Sequence, residues 1–310
     1  MLEYKNINIS IDEHIILRDV SFTVETGSIV GIAGESGSGK TVLAKHTLGL
    51  LDEPFKNVSG EIVFLGKVYN SNDSKIPLRG RYISMIFQNP TASLNPVMTI
   101  GEQMIETIRI HNKGINYYEK AVELLNIVKI DNPEQRLKSY PHNLSGGMNQ
   151  RVMIAMSLSS NPKLLIADEP TTALDVTIQK GIIELLIELN QKNNLTIVFI
   201  SHDLKLLQSI SDKIIILYAG EVMEEINSMD LINDRIKNPY TKMLKRCVPS
   251  IKDDFVENLE TIDGVIPKNS KEYENRCIFS DRCPYAKEQC FSSKPDFKNG
   301  VRCHYPLWES

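Results

Sequence analysis

A lysine and a threonine close a glycine-rich run, Gly34-Glu35-Ser36-Gly37-Ser38-Gly39-Lys40-Thr41. Small residues let successive backbone N–H groups turn inward toward an anion. Lys40 would then reach outer phosphates as a point charge, and the Thr41 hydroxyl would ligate Mg²⁺. A chance glycine turn before a helix would share this composition. The flanks favour the phosphate reading: an apolar run, residues 29–33, precedes the loop, and residues 42–51 have helical character.

Two carboxylates, Asp168 and Glu169, end the apolar run Leu164-Leu165-Ile166-Ala167. A strand end presents Asp168 to hold Mg²⁺ directly or through water, and Glu169 to polarise an attacking water. An acid pair opening a helix before Pro170 would be the plainer alternative. Ser145-Gly146-Gly147 stands ahead of another helical stretch, with Ser145 a good N-cap and two glycines open to close approach by an anion. The last chemistry-bearing group is sulfur. Cys277, Cys283, Cys290 and Cys303 crowd the C-terminal part, and Cys247 stands apart as an expected plain buried thiol. In a reducing compartment four such thiols suggest metal or cluster ligation before disulfides. Four free buried cysteines in a packed tail are the alternative.

These groups need elements to position them. Residues 2–9 and 20–33 read as strands, with a turn at Glu25-Thr26-Gly27. The loop helix is expected to reach about Leu51. Further strands are expected at 61–65, 82–87, 163–167, 195–200 and 213–218. Helical spacing marks 100–112, 117–130, 145–160, 177–190 and 204–210, with Asn161-Pro162 as a stop. Strands alternating with helices imply an α/β fold with a mostly parallel sheet covered on both faces. Residues 100–130 look like a helical insertion in that core, and 248–270 like a linker.

The whole chain sets bounds. Its 310 residues can bury a substantial core, in one large or two small domains. A net charge of −4 argues for no nucleic-acid partner. No signal peptide is visible, and no apolar run approaches the ~20 residues that span a bilayer. A soluble cytoplasmic protein is expected, one that could still dock on a membrane protein.

The glycine loop, the acidic strand end and Leu144-Ser145-Gly146-Gly147, in this order and spacing, resemble the ATP-binding subunits of ABC transporters from about residue 2 to residue 245. The resemblance implies a P-loop ABC ATPase core with a helical subdomain (about 89–160) and an antiparallel β subdomain. It also implies an ATP-binding domain over 1–247 and a linker with a Cys-rich extension over 248–310. It assigns ATP and Mg²⁺ to Gly34, Ser36, Gly37, Ser38, Gly39, Lys40 and Thr41, with Thr41, Gln88 and Asp168 around the metal. Glu169 becomes the base, His202 the contact to the γ-phosphate, and Gln88 the sensor of Mg²⁺ and water. Ser145, Gly146 and Gly147 face the nucleotide of a second subunit, and Asp175, in Thr172-Ala173-Leu174-Asp175, belongs to the segment crossing that interface. Two departures stand out: Met148 replaces the usual Gln, and no aromatic residue occupies the adenine-stacking region, which leaves Ile11 or His14 for that ring. Tyr4 reads as a strand residue.

Three stretches resemble the peptide and nickel importer branch: 88–96 followed by Ile100-Gly101-Glu102-Gln103, then 146–156, then Asn238-Pro239-Tyr240-Thr241. The tail, Ile262-Asp263-Gly264-Val265-Ile266-Pro267 followed by the four cysteines, is similar to the C-terminal extension of dipeptide and oligopeptide ATPases. That extension can carry a 4Fe-4S cluster on Cys277, Cys283, Cys290 and Cys303, with a zinc site as the alternative. The function implied is ATP hydrolysis powering a binding-protein-dependent importer of peptides, with nickel or a metallophore complex as runner-up. A soluble non-transport ABC ATPase is the distant alternative. Implied partners are a second, non-identical ATPase subunit, two membrane permeases and, indirectly, an extracytoplasmic substrate-binding protein. The implied location is the cytoplasmic face of the membrane.

Overall fold

The computed structural model describes residues 1–51, 54–70, 79–88, 93–172, 174–247, 261–267 and 270–308. Residues 89–92, Ala173 and most of the expected linker therefore lie outside the described residues. The chain divides into two compact units, Met1–Lys75 with Phe199–Ser310, and Ile76–Val198.

The first unit opens with β1 (Leu2–Ile11), β2 (His14–Val24), β3 (Ile29–Ala33), α1 (Lys40–Thr47), β4 (Phe55–Phe64) and β5 (Lys67–Asn70). Strands order as β2-β1-β4-β5 in an antiparallel sheet, with Leu2 opposite both Val24 and Phe64. Alternation buries Leu17, Val20, Phe22 and Val24 along β2. β2 thus starts at His14 rather than residue 20. The turn that makes this possible is Asp12-Glu13, where Asp12 takes φ +50°. α1 is shorter than expected because the chain leaves the helix after Leu48, its C-cap.

The second unit holds β6 (Ile83–Ile86), α2 (Ile100–His111), α3 (Tyr117–Ile127), α4 (Pro133–Leu137), α5 (Gly146–Leu158), β7 (Leu164–Asp168) and α6 (Val176–Asn193). β6 and β7 pair in parallel, Ile83 opposite Leu164. α2 begins in a capping box, the Thr99 hydroxyl accepting from the Glu102 amide at 3.2 Å while Glu102 accepts from the Thr99 amide at 2.7 Å. Ile100, Met104 and Ile108 form its buried stripe. β8 (Thr196–Ile200) crosses the division between the units.

The first unit resumes with α7 (Leu204–Ile210), β9 (Lys213–Tyr218), β10 (Glu221–Asn227), α8 (Ser228–Ile232), α9 (Pro239–Arg246), α10 (Glu288–Ser292), β11 (Phe297–Lys298) and β12 (Val301–Arg302). β3 and β9 pair in parallel, β9 and β10 antiparallel, and β12 lies on β10 with Val301 opposite Glu224. The Cys-rich segment therefore adds its short hairpin to the edge of a core sheet. Parallel pairing is present, as expected, but antiparallel strands make the fold mixed.

Candidate nucleotide site

The phosphate loop is built on backbone. Gly34 takes φ +152°, and a Cβ there would stand 2.1 Å from the Leu217 carbonyl oxygen, so only glycine fits. Lys40 is buried, and its Nζ donates to the carbonyls of Gly34 (2.8 Å) and Glu35 (2.9 Å) and to Ser38 Oγ (3.3 Å). The Ser38 amide closes the turn on the Glu35 carbonyl, and the Gly220 amide donates to the Ser38 carbonyl. Ser36 and Gly37 are exposed at the crest. α1 has no side-chain cap and no acid in its first turn, so nothing of its own competes for an anion at that end. The loop fits a polyphosphate.

Below the loop, His46 is 3% exposed and burial lowers its pKa to about 4. Tyr4 is buried in β1, shares a 2.7 Å hydrogen bond with Thr47 and packs on Phe22. It is a strand residue, as expected. Ile11 is half-buried and His14 exposed, on either side of the hairpin turn. His202, exposed, follows β8 directly, and Asp203 caps α7 by accepting from the Leu206 amide at 3.0 Å.

The second unit brings three polar residues together. Glu169 Oε2 accepts from Gln88 Nε2 and from Thr172 Oγ1, each at 2.9 Å. Glu169 has φ +46°, uncommon for a non-glycine residue. Backbone and side chain are thus both held in one unusual arrangement, a pattern frequent at functional sites. Asp168 beside it is buried at the end of β7. The sequence placed Thr172 only within a longer segment; its hydrogen bond to Glu169 had no signal beyond the spacing of three.

Ser145 caps α5, its hydroxyl accepting from the Met148 amide at 3.3 Å. Gly147 is needed for packing: a Cβ there would be 2.4 Å from Ile178 Cγ2. Gly146 is exposed at the helix start. Asp175 caps α6 through the Ile178 amide at 2.9 Å.

The four tail cysteines line one cavity of about 20 Å³. That is room for about one water-sized sphere. None of them forms a disulfide, nor does Cys247, which is half-buried where it was expected to be buried. Burial pushes Cys277 up to about 12, and Cys283 and Cys303 up to about 11. Among the described residues no three His, Cys, Asp or Glu side chains stand close enough to hold a metal ion. The thiols converge without forming a ready ligand shell. Two residues to which the sequence assigned no part in the phosphate loop touch it: the Tyr240 hydroxyl accepts from the Glu35 amide at 3.0 Å, and Arg282 pairs with the Glu35 carboxylate across 247 positions of sequence.

A family model described as ABC transporter matches residues 17–172. The chain belongs to the ABC transporter family. A second model, for the C-terminal region of oligopeptide/dipeptide transporters, matches residues 223–290 of this ABC chain. The chain is 44% identical over 297 residues to the dipeptide transport ATP-binding protein DppD of Escherichia coli (strain K12), covering 93% of this chain and 90% of that one. It is 43% identical over 294 residues to the oligopeptide transport ATP-binding protein AppD of Bacillus subtilis (strain 168), covering 92% and 89%. Among solved structures, a dimeric ATP-binding cassette in a post-hydrolysis state with ADP and Pi matches with a TM-score of 0.62 and 30% identity, over 74% of this chain and 99% of that one. The fold is the ABC ATPase cassette. Among the described residues no helix is long and apolar enough to cross a membrane.

Proposed function

We propose that this chain is the ATP-hydrolysing subunit of an importer for di- or oligopeptides. The match of residues 223–290 to the C-terminal region of peptide transporters carries the substrate class, and two relatives named for dipeptide and oligopeptide transport support it. Nickel import shares the branch motifs but finds no support among these relatives. The domains are read as an ATP-binding domain over 1–247 and a linker with extension over 248–310.

The chain's residues divide the work. Gly34, Ser36, Gly37, Ser38 and Gly39 present amides to the phosphates, and Lys40 exchanges its loop carbonyls for phosphate oxygens. Thr41, Gln88 and Asp168 would hold Mg²⁺, which would neutralise phosphate charge. Glu169 takes the proton of an attacking water. Gln88 and Thr172 fix the direction of its carboxylate. His202 contacts the γ-phosphate. Ser145, Gly146 and Gly147 complete the nucleotide site of a second subunit from the far side, where their amides stabilise charge, and Asp175 lies in the segment crossing that interface. The second subunit is read as a non-identical relative. Two permeases and an extracytoplasmic binding protein complete an assembly that places this chain on the cytoplasmic membrane face.

Only the donor type speaks for a metal group: four thiols, Cys277, Cys283, Cys290 and Cys303, line one cavity with no carboxylate among them, although as placed they do not stand close enough to hold an ion. They would hold a 4Fe-4S cluster, or zinc in its place, and the group would staple an extension too small for a core of its own. Iron and sulfide analysis after anaerobic purification separates these.

The decisive experiment uses the assembled complex. Lys40→Ala should abolish ATP hydrolysis and peptide uptake together, and Glu169→Gln should accumulate a nucleotide-bound dimer. Undiminished turnover in Glu169→Gln overturns the base, and peptide uptake that survives disruption of the chain overturns the substrate class.

A further inference from the structure

The extension reaches the phosphate loop at one residue. Arg282 Nη1 lies 3.1 Å from Glu35 Oε1, and Nη2 lies 3.1 Å from Oε2. This fork-to-fork pair is directional as well as attractive. The guanidinium also donates to the carbonyls of Ile262 (2.9 Å) and Asp263 (2.8 Å) and to the Tyr218 hydroxyl (3.2 Å). The Arg282 side chain is 6% exposed and that of Glu35 is 27% exposed. Beside the pair, Phe279 from the extension packs against Tyr218 and Tyr240, with centroids 5.1 and 5.2 Å away. Tyr240 is the residue that accepts from the Glu35 amide. Backbone and side chain of Glu35 are thus both held by a surface that the extension completes.

Glu35 is the second residue of a loop suited to a polyphosphate. Its carboxylate, left unpaired, would place a negative charge beside an entering anion. Arg282 cancels that charge and fixes where it points. The arginine adjoins Cys283, so its position depends on the folded extension.

We propose that Arg282 is a positioning residue for nucleotide binding: by pairing with Glu35 it neutralises and shapes the phosphate loop, and it makes nucleotide affinity depend on the folded state of the Cys-rich extension. This rests on the nucleotide-binding reading above. It would give the cell a means to couple transport to whatever orders or disorders the four cysteines.

The test is a titration of the full chain with a fluorescent ATP analogue, comparing wild type, Arg282→Met, Glu35→Gln and the double variant. Arg282→Met should weaken binding about tenfold, a deficit that shrinks at high salt. Glu35→Gln in the same background should restore binding to within about threefold of wild type, because the repelling charge is gone. A purely structural arginine would leave the double variant as weak as the single one, and that result overturns the proposal, as does wild-type affinity in Arg282→Met. Should Arg282→Met fail to fold by circular dichroism, Arg282→Gln, which removes the charge but keeps a hydrogen-bonding side chain, takes its place with the same expected deficit and the same requirement for rescue by Glu35→Gln. Absence of binding by wild type would instead defeat the nucleotide reading itself.

Discussion

The phosphate loop and the Cys-rich extension lie in the same unit and are built in opposite ways. The loop is local. Its amide donors and the lysine fall within eight consecutive residues, Gly34–Thr41, which run straight into the helix, and Lys40 is caught by carbonyls five and six positions away. The extension is held by partners far apart in sequence. Glu221, 1% exposed, meets Lys294 at 2.8 Å and Arg302 and Arg18 at 3.6 Å. Asn238 donates to the carbonyls of Met223 and Arg302. Glu224, whose pKa burial raises, accepts the amides of Lys237 and Asn238. A function made of backbone survives on shape, whereas an attachment made of buried charge survives only while every partner stays.

The sharpest way to break that contrast is Glu221→Ala. It takes from Arg302, 6% exposed, its buried counter-charge and leaves the half-exposed Asp19 carboxylate at 3.6 Å. Losing one partner of a buried pair costs about 3–5 kcal/mol. The expected outcome is an extension cleaved early in limited proteolysis, and a denaturant midpoint lowered to match. An unchanged cleavage pattern would show that the β10–β12 pairing alone suffices.

Acid should act on the loop's side of the comparison. His46, in α1, has its pKa lowered to about 4, against about 6.5 when unfolded. The unfolded chain therefore takes up a proton that the folded chain refuses, and stability falls as pH drops from about 6.5 toward 4. The integrated loss is about 3 kcal/mol. Urea unfolding of wild type and His46→Gln at neutral pH and near pH 4 checks this: the variant should lose less stability on acidification by about that amount. Parallel acid limbs would mean that His46 is not the group responsible.

The same contrast explains what was legible in the sequence. Gly34–Thr41, the Ser145 cap and the strand end at Asp168 are read from neighbours, and α7 and β9 fall where periodicity placed them. β10 was passed over because Glu221, Glu224 and Glu225 look like surface residues until Arg302 and Lys294, the Asn238 amide and Lys213 are set against them. β2 was cut short because Arg18 and Asp19 interrupt its apolar alternation, although the pairing of Ser10 with Ile15 and Ile11 with His14 demands the full strand. Glu35 gave no sign of needing Arg282. In each miss the deciding interaction joins residues that local reasoning never compares. Gln88 is the intermediate case: the resemblance singled it out, but its hydrogen bond to Glu169 needed coordinates.

The smallest expected effect separates local structure from function at one residue. Asp175 is exposed and caps α6 through the Ile178 amide, and it is also assigned to the segment that crosses to a second subunit. A cap needs an acceptor oxygen but not a charge, and asparagine caps as well as aspartate. Asp175→Ala should therefore lower unfolding stability by about 1 kcal/mol while Asp175→Asn leaves it nearly unchanged. If Asp175→Asn nevertheless slows ATP turnover in the assembled complex, the charge serves the interface and the oxygen serves the helix. Equal stability for both variants would show that the cap contributes nothing, and the residue would belong wholly to the interface.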